Sequence, residues 1–334
     1  MKIKDNTQYI LIKFLDYLKE GIIVVDSEKN IEFVNSYARK FFSCDEPEGK
    51  HFSEVVKNHY LYSIISYEDK RDKKVEMEID EKKFLVNIYY IEDKKIIHLQ
   101  DITPFEVYKQ AKKDFVSNVS HELKTPISVL KSVMETLETE TDPQITKKFI
   151  QMAQKRINQM DNLVQDLLIL AKLESKEEKI QKSPVKLHSL VESIFEDLRH
   201  LTVEKSIKLN NLVPTDFNII VDEQKFLIAL KNLIENAIKY NKSYGIVKVY
   251  SHREGSNDTI VIEDSGIGIP KEAIPLIFER FYRVDKSRSR NIGGTGLGLS
   301  IVKHIIEAHK GKVWVESTYG VGSKFYIKLN REVT

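Results

Sequence analysis

The segment FVSNVSHELKTPISVL, Phe115 to Leu130, carries one histidine, an acid directly after it and a proline five residues on. An imidazole whose Nδ1–H is held by a carboxylate presents a bare Nε2, which is a nucleophile near neutral pH. Glu122 is placed to accept that bond from His121. Thr125, one helical turn further on, can hold a water on the same face. Pro126 removes the N–H that the Glu122 carbonyl would use, so a local bend is expected just past the histidine.

Two glycine strings supply a second chemistry. EDSGIGIP sets Asp264 after an apolar strand and follows it with Gly266 and Gly268; GGTGLGLS sets Gly293, Gly294, Gly296 and Gly298 before an amphipathic helix. Glycine lets backbone N–H groups approach phosphates closely, and a helix start adds a favourable dipole. Neither string is a dinucleotide fingerprint or a P-loop, because the first ends in proline and no GK[ST] follows either one. In the helix LKNLIENAIKY, Asn232, Asn236, Lys239 and Tyr240 share one face. An asparagine carbonyl suits Mg²⁺, a lysine meets phosphate and a tyrosine can lie against a base. Asp264 can accept from an adenine amino group. The pieces describe an Mg–ATP pocket: base at Asp264, metal at Asn236, phosphates under a glycine-rich lid. Taken singly, each string reads as a turn and each helix as a polar surface.

The elements that must position these groups fall into three regions of the 334 residues. Residues 1–103 alternate apolar and polar in KKVEMEID, KKFLVNIYYIED and KKIIHLQDI, which predicts half-buried antiparallel strands in a small α+β domain. GIIVVDSEKNIEFVNSYARKFF predicts strand, turn, strand and helix. Residues 104–182 are helical. Val119, Leu123, Ile127, Leu130, Met134 and Leu137 form one stripe, and His121 lies about 200° from Val119 on the wheel, away from it. A second stripe, Ile145, Phe149, Met152, Arg156, Met160, Leu163, Leu167 and Leu170, follows the break at TETDP. Two such helices bury little alone, so two hairpins are expected to pair as a four-helix bundle in a homodimer. Residues 183–334 alternate helices and strands, predicting helices on one face of a mixed sheet. KLESKEEKIQKSP is the expected hinge before it.

A net charge of +2 argues against a nucleic-acid or anionic-membrane partner. Cys44 is the only cysteine, which excludes an internal disulfide. No apolar run reaches about 18 residues, so no membrane span is predicted in this chain and a cytoplasmic location is expected. His51, His59 and His98 are haem-ligand candidates in form only, and surface or core positions are favoured for them.

In order and spacing, the His121 helix, NLIENAIKY, DSGIGIP, FERFYR and GTGLGL resemble a bacterial two-component sensor histidine kinase over roughly residues 106–330. The resemblance implies a dimerisation and phosphotransfer hairpin followed by an α/β sandwich of the histidine kinase, gyrase and Hsp90 ATPase type. Residues 1–103 resemble a PAS sensor domain through GIIVVD and NIEFVN. It further implies His121 as phosphoacceptor, Glu122 as its activating acid and Thr125 as the residue that orients water to hydrolyse a partner's aspartyl phosphate. Asn236 would be the Mg²⁺ ligand, with Asn232 and Lys239 toward the phosphates and Tyr240 beside the nucleotide. Asp264 would hold the adenine, Gly266 and Gly268 its turn, Arg283 the γ-phosphate, and Gly294, Gly296 and Gly298 the last glycine motif. Phe278 and Phe281 would pack where FERFYR opens the lid. The implied partner is the receiver domain of a separate response regulator. Two other readings share parts of this pattern. A gyrase-type ATPase would need no SHELKTP, and a non-catalytic PAS binding module would need neither Asn236 nor Asp264.

Overall fold

The computed structural model describes residues 2–67, 71–175, 180–284 and 294–331, which divide into two compact units, Met1–Val116 and Ser117–Thr334. In the first unit, helix α1 (Lys2–Tyr17) precedes β1 (Gly21–Val25) and β2 (Ile31–Val34). Short helices α2 (Phe52–Val55) and α3 (His59–Ser66) follow, then β3 (Lys73–Ile79), β4 (Lys82–Ile91) and β5 (Lys94–Asp101). The strands form one antiparallel sheet in the order β2-β1-β5-β4-β3. The helix expected after β2 is only a 3-10 turn, Arg39–Phe41. Phe41 in this turn and Phe42, the extended residue that ends it, are both buried, which a full helix would hinder by rotating successive side chains apart.

Two buried polar side chains fix this unit. Asn35 accepts from Ile22 N (2.9 Å) and donates to Leu15 O and Glu20 O (2.8 Å each), so the end of α1 is tied to the start of β1. The Lys95 ammonium donates to Ile64 O, Ile65 O and Tyr67 O, closing the carbonyl end of α3.

Helix α4 (Thr103–Leu137) contains the division between the units, and α5 (Pro143–Glu174) returns alongside it. Asp142 caps α5 by accepting from Gln144 N (2.7 Å) and Ile145 N (3.4 Å), with Pro143 in the first turn as expected. The inward seam of α4 is Val119, Leu123, Pro126, Leu130, Val133 and Leu137, all buried or half-buried at heptad spacing. The seam of α5 is Phe149, Ala153, Arg156, Met160, Leu163, Leu167 and Leu170. This corrects the predicted stripes at their edges. Ile127 (51% exposed) and Met134 (60%) stand one position outside the seam, as do Ile145 and Met152 on α5; Ile157, which the stripe did not include, is exposed there too. Two helices alone close only a narrow a/d seam, and the flanking apolar positions are left outside it.

The rest of the second unit comprises β6 (Ser183–Lys186), α6 (Leu187–Thr202), β7 (Lys208–Asn211), β8 (Asn218–Val221), α7 (Glu223–Lys239), β9 (Ile246–Glu254), β10 (Asn257–Asp264), α8 (Gly298–Ala308), β11 (Lys312–Thr318) and β12 (Gly322–Asn330). The main sheet runs β11-β12-β10-β9-β7, antiparallel except for β7 beside β9; β6 and β8 pair separately. Ile260, Ile262, Phe325 and Ile327 from the sheet share one core with Leu190, Ile194, Phe226, Leu230, Leu233, Ile301 and Ile305 from α6, α7 and α8. On the strands, the residues of opposite parity carry aromatic side chains: Trp314 stacks on Tyr326, ring centroids 4.9 Å apart. The Tyr326 hydroxyl donates to Glu316 (2.9 Å); burial, then this carboxylate, push its pKa up to about 12.

Buried His309 ends α8. Its Nδ1–H donates to Ile305 O (2.8 Å) and Nε2 accepts from Asp222 N (2.9 Å), so the ring is held in one neutral tautomer. Asp222 in turn caps α7 at Lys225 N (3.2 Å).

Candidate active site

Helix α7 carries the asparagine face because its other side is Leu230, Leu233, Ile234, Ala237 and Ile238, all buried in the core. Asn232, Asn236, Lys239 and Tyr240 are left half-buried on the opposite side. Asn232 donates from Nδ2 to Ile228 O (2.9 Å), which aims its Oδ1 outward at the second glycine string. A Cβ on Gly298 would stand 2.5 Å from that Oδ1, so a side chain where α8 begins would have to push the Asn232 carboxamide aside. At the other end of α7, Tyr240 O accepts from Ile267 N (3.1 Å) within the first glycine string. Asn232 and Tyr240 are about 12 Å apart along the axis, which separates a base end from a phosphate end.

At the base end, Asp264 closes β10 and accepts from Gly266 N (2.8 Å) through Oδ1. Burial raises its pKa to about 6, against the backbone donors of Gly266 and Ser323. A half-buried carboxylate with raised proton affinity is suited to accept from a ligand N–H. Gly268 takes φ +67°, and a Cβ there would clash with Thr318 O, so the position is closed to a side chain. The described parts of the two glycine strings, with Asp264 and the polar face of α7, make up the candidate cradle for an adenine nucleotide.

At the phosphate end, Phe281 N donates to Gly296 O (2.9 Å), which joins FERFYR to the last glycine motif. Phe281 adopts φ 61°, a strained left-handed backbone for an aromatic residue. Phe278 and Phe281 pack against the core. Arg283 lies beside Gly294, its guanidinium 4.0 Å from where a Cβ would stand. Lys239 pairs with Glu235 (2.7 Å), a partner the sequence reading missed. Gly293, and Lys176 to Lys179 of the expected hinge, lie outside the described residues. Among the described residues no three His, Cys, Asp or Glu side chains cluster as a metal site. Mg²⁺ held by Asn236 and by nucleotide phosphates needs no such cluster.

On α4, His121, Glu122 and Thr125 are all exposed, and Pro126 is buried in the hairpin seam. The Thr125 hydroxyl donates back to His121 O (3.2 Å). No His121–Glu122 hydrogen bond occurs among the described residues; Glu122 is adjacent in space only through the chain. Helix α4 runs unbroken through Pro126.

Hairpin and nucleotide fold also meet directly. Leu163 and Leu170 of α5 are buried in the core cluster shared with α6, α7 and α8. Thr295 Oγ1 donates to Asp166 Oδ2 (2.6 Å) and accepts from Leu297 N (3.2 Å). Arg280 pairs with Glu174 and lies 3.4 Å from His304 Nε2. Burial raises the Asp166 pKa, opposed by the Thr295 bond, with the charges of Glu235 and Lys239 within reach. Asp166 and Thr295 lie 129 residues apart, so no local pattern links them.

A cradle for an adenine nucleotide in the same unit as a solvent-facing imidazole on a helical hairpin defines a nucleotide-dependent phosphotransfer architecture. Two family models match these parts: the His Kinase A (phospho-acceptor) domain over residues 111–176, and the histidine kinase-, DNA gyrase B- and HSP90-like ATPase over residues 221–333. The phosphate regulon sensor protein PhoR of Pseudomonas aeruginosa is 32% identical over 317 residues, covering 92% of this chain and 71% of that protein. The sensor protein kinase WalK of Staphylococcus saprophyticus is 32% identical over 335 residues, 96% of this chain and 54% of its own length. The chain therefore spans about half of that WalK. Among solved structures, Acinetobacter baumannii histidine kinase AdeS superposes with a TM-score of 0.52 at 25% identity, over 64% of this chain and 98% of that one. Histidine kinase ThkA, solved in complex with response regulator protein TrrA, gives 0.54 at 19% identity over 96% of this chain and 98% of that one, a likeness of fold. The chain belongs to the sensor histidine kinases of bacterial two-component systems.

Proposed function

We propose that the chain phosphorylates its own His121 from ATP and passes the phosphoryl group to an aspartate of a separate response regulator. The observation that carries this reading is the pairing of an exposed imidazole at 121 with a helix start at Gly298 packed closely against the Asn232 carboxamide in the same unit. His121 Nε2 attacks the γ-phosphorus in line; the N–P bond forms as the bond to the ADP oxygen breaks. Arg283 and Lys239 would reach the γ-phosphate and oppose the charge that develops there. Asn236 would hold Mg²⁺, which supplies further positive charge between the phosphates. Asp264 holds the adenine amino group, and Tyr240 lies beside the base. Glu122 would orient and charge-balance the imidazole by turning toward Nδ1. Thr125 would release its bond to the His121 carbonyl to position water when the regulator's aspartyl phosphate is hydrolysed.

Three further parts belong to the same reading. The exposed apolar flank of the hairpin, Ile127, Met134, Ile150, Ile157 and Val164, supports a homodimer joined as a four-helix bundle. Residues 1–103 act as a PAS sensor domain; the antiparallel order β2-β1-β5-β4-β3, with its helices between β2 and β3, supports it. The hairpin is taken as 104–182 and the catalytic part as 183–334; β6 starts at Ser183, whereas α4 starts at Thr103 and the compact units divide after Val116. No helix among the described residues is long and apolar enough to cross a membrane.

Incubation with γ-labelled ATP and Mg²⁺ tests the reading. The wild-type chain should acquire acid-labile, base-stable label, and His121→Gln should acquire none. Equal labelling of both forms would remove His121 from the reaction.

A further inference from the structure

The nucleotide end of the second unit already holds a carboxylate. Asp166 reaches from α5 to Thr295, inside the last glycine motif and three residues before α8 begins. The same hydroxyl accepts from Leu297 N, so the carboxylate, the hydroxyl and the first turn of α8 form one chain of bonds. A helix start that follows a glycine string is where phosphate oxygens are received. The neighbouring charges are those of Glu235 and Lys239 on α7, which pair with each other (2.7 Å). The carboxylate is held in place by a wide contact: Leu163 and Leu170 of α5 are buried in the shared core, and Arg280 clasps Glu174 one helical segment beyond.

We infer that Asp166 sets the affinity of the cradle for nucleotide by standing in for a phosphate at the start of α8, and that a bound triphosphate drives α5 off this surface. The inference rests on the nucleotide reading above and deepens it. Charge decides the direction. A triphosphate entering beside Asp166 meets a like charge in a partly desolvated place, where repulsion is several times stronger than in water. Either the phosphates bind weakly or the carboxylate leaves. Its leaving breaks the Thr295 bond and loosens the seating of Leu163 and Leu170. The hairpin is then free of the nucleotide fold, a condition for that fold to approach His121. An adenosine lacking phosphates fills only the base end and leaves the contact undisturbed.

Calorimetric titration of ATP and of adenosine into the wild-type chain and Asp166→Asn tests this. Asparagine keeps an acceptor for Thr295 and removes only the charge. The expected result is roughly three- to tenfold tighter ATP binding in Asp166→Asn, with adenosine affinity unchanged. Hydrogen exchange on wild-type protein gives a readout independent of turnover: ATP, but not adenosine, should raise exchange in residues 160–174. Equal ATP affinity in the two forms overturns the inference, as does an equal gain for adenosine, which would mean Asp166 acts on the fold. Unchanged exchange with saturating ATP overturns the release of α5. Failure of ATP and adenosine alike to bind wild type would instead bring down the nucleotide reading itself.

Discussion

Asp264 shows how a single residue sets a measurable linkage. Burial holds its proton affinity up to about 6, and an adenine amino group donating to it would favour the charged form. Nucleotide binding should therefore release protons near pH 6, and affinity should rise as pH rises through that value. Calorimetry in buffers of different ionisation enthalpy reads the release directly; Asp264→Asn should abolish it and weaken binding by tenfold or more, at roughly 1.4 kcal/mol per decade. Gly298 makes a steric case. A methyl there meets Asn232 Oδ1 at 2.5 Å, so Gly298→Ala should cost about 1–3 kcal/mol in stability or nucleotide affinity. Asn232→Ser, which shortens the obstacle, should recover part of it in the double variant. Unchanged binding by Gly298→Ala would show that the start of α8 yields freely.

Among the elements, the hairpin gives the plainest expectation. Ile157 is 55% exposed and one position off the α5 seam, so Ile157→Glu should leave the hairpin's own packing intact and dissociate the dimer. Sedimentation equilibrium would show monomer where the wild type is dimeric; a dimer surviving this change would move the interface elsewhere. In the first unit, Asn35→Ala strands Ile22 N and frees the end of α1, at about 1–3 kcal/mol. The strands of both units and the long helices were legible in sequence because each alternates or repeats on its own scale. Helix seams were read one residue off at several positions, because periodicity cannot distinguish a face that meets its own hairpin from one left for another. The short helical turn at Arg39–Phe41 was overcalled for a related reason: two adjacent buried phenylalanines have no period. The neighbourhood of the glycine strings and the asparagine helix was legible because turns and helix faces are dictated by local geometry. Asp166 and Glu174 were not, since their partners come from far along the chain.

At the scale of the molecule, stability should depend on pH through His309. The folded ring is neutral, and its pKa lies below the ordinary 6.5 through burial. Below about 6.5 the unfolded chain binds the extra proton, so this contribution is present above that pH and lost as pH falls. The slope should approach about 1.4 kcal/mol per pH unit, and His309→Gln should flatten it in denaturant midpoints. Asp264 acts oppositely below about 6, which is why the comparison with the variant, and not the bare slope, is decisive. Trp314, stacked on Tyr326, has one more consequence. It is the only tryptophan of the chain and sits on the sheet of the second unit. Selectively excited indole emission therefore comes from that half alone, giving an intrinsic optical probe of how the ATPase fold melts while the amino-terminal half stays dark.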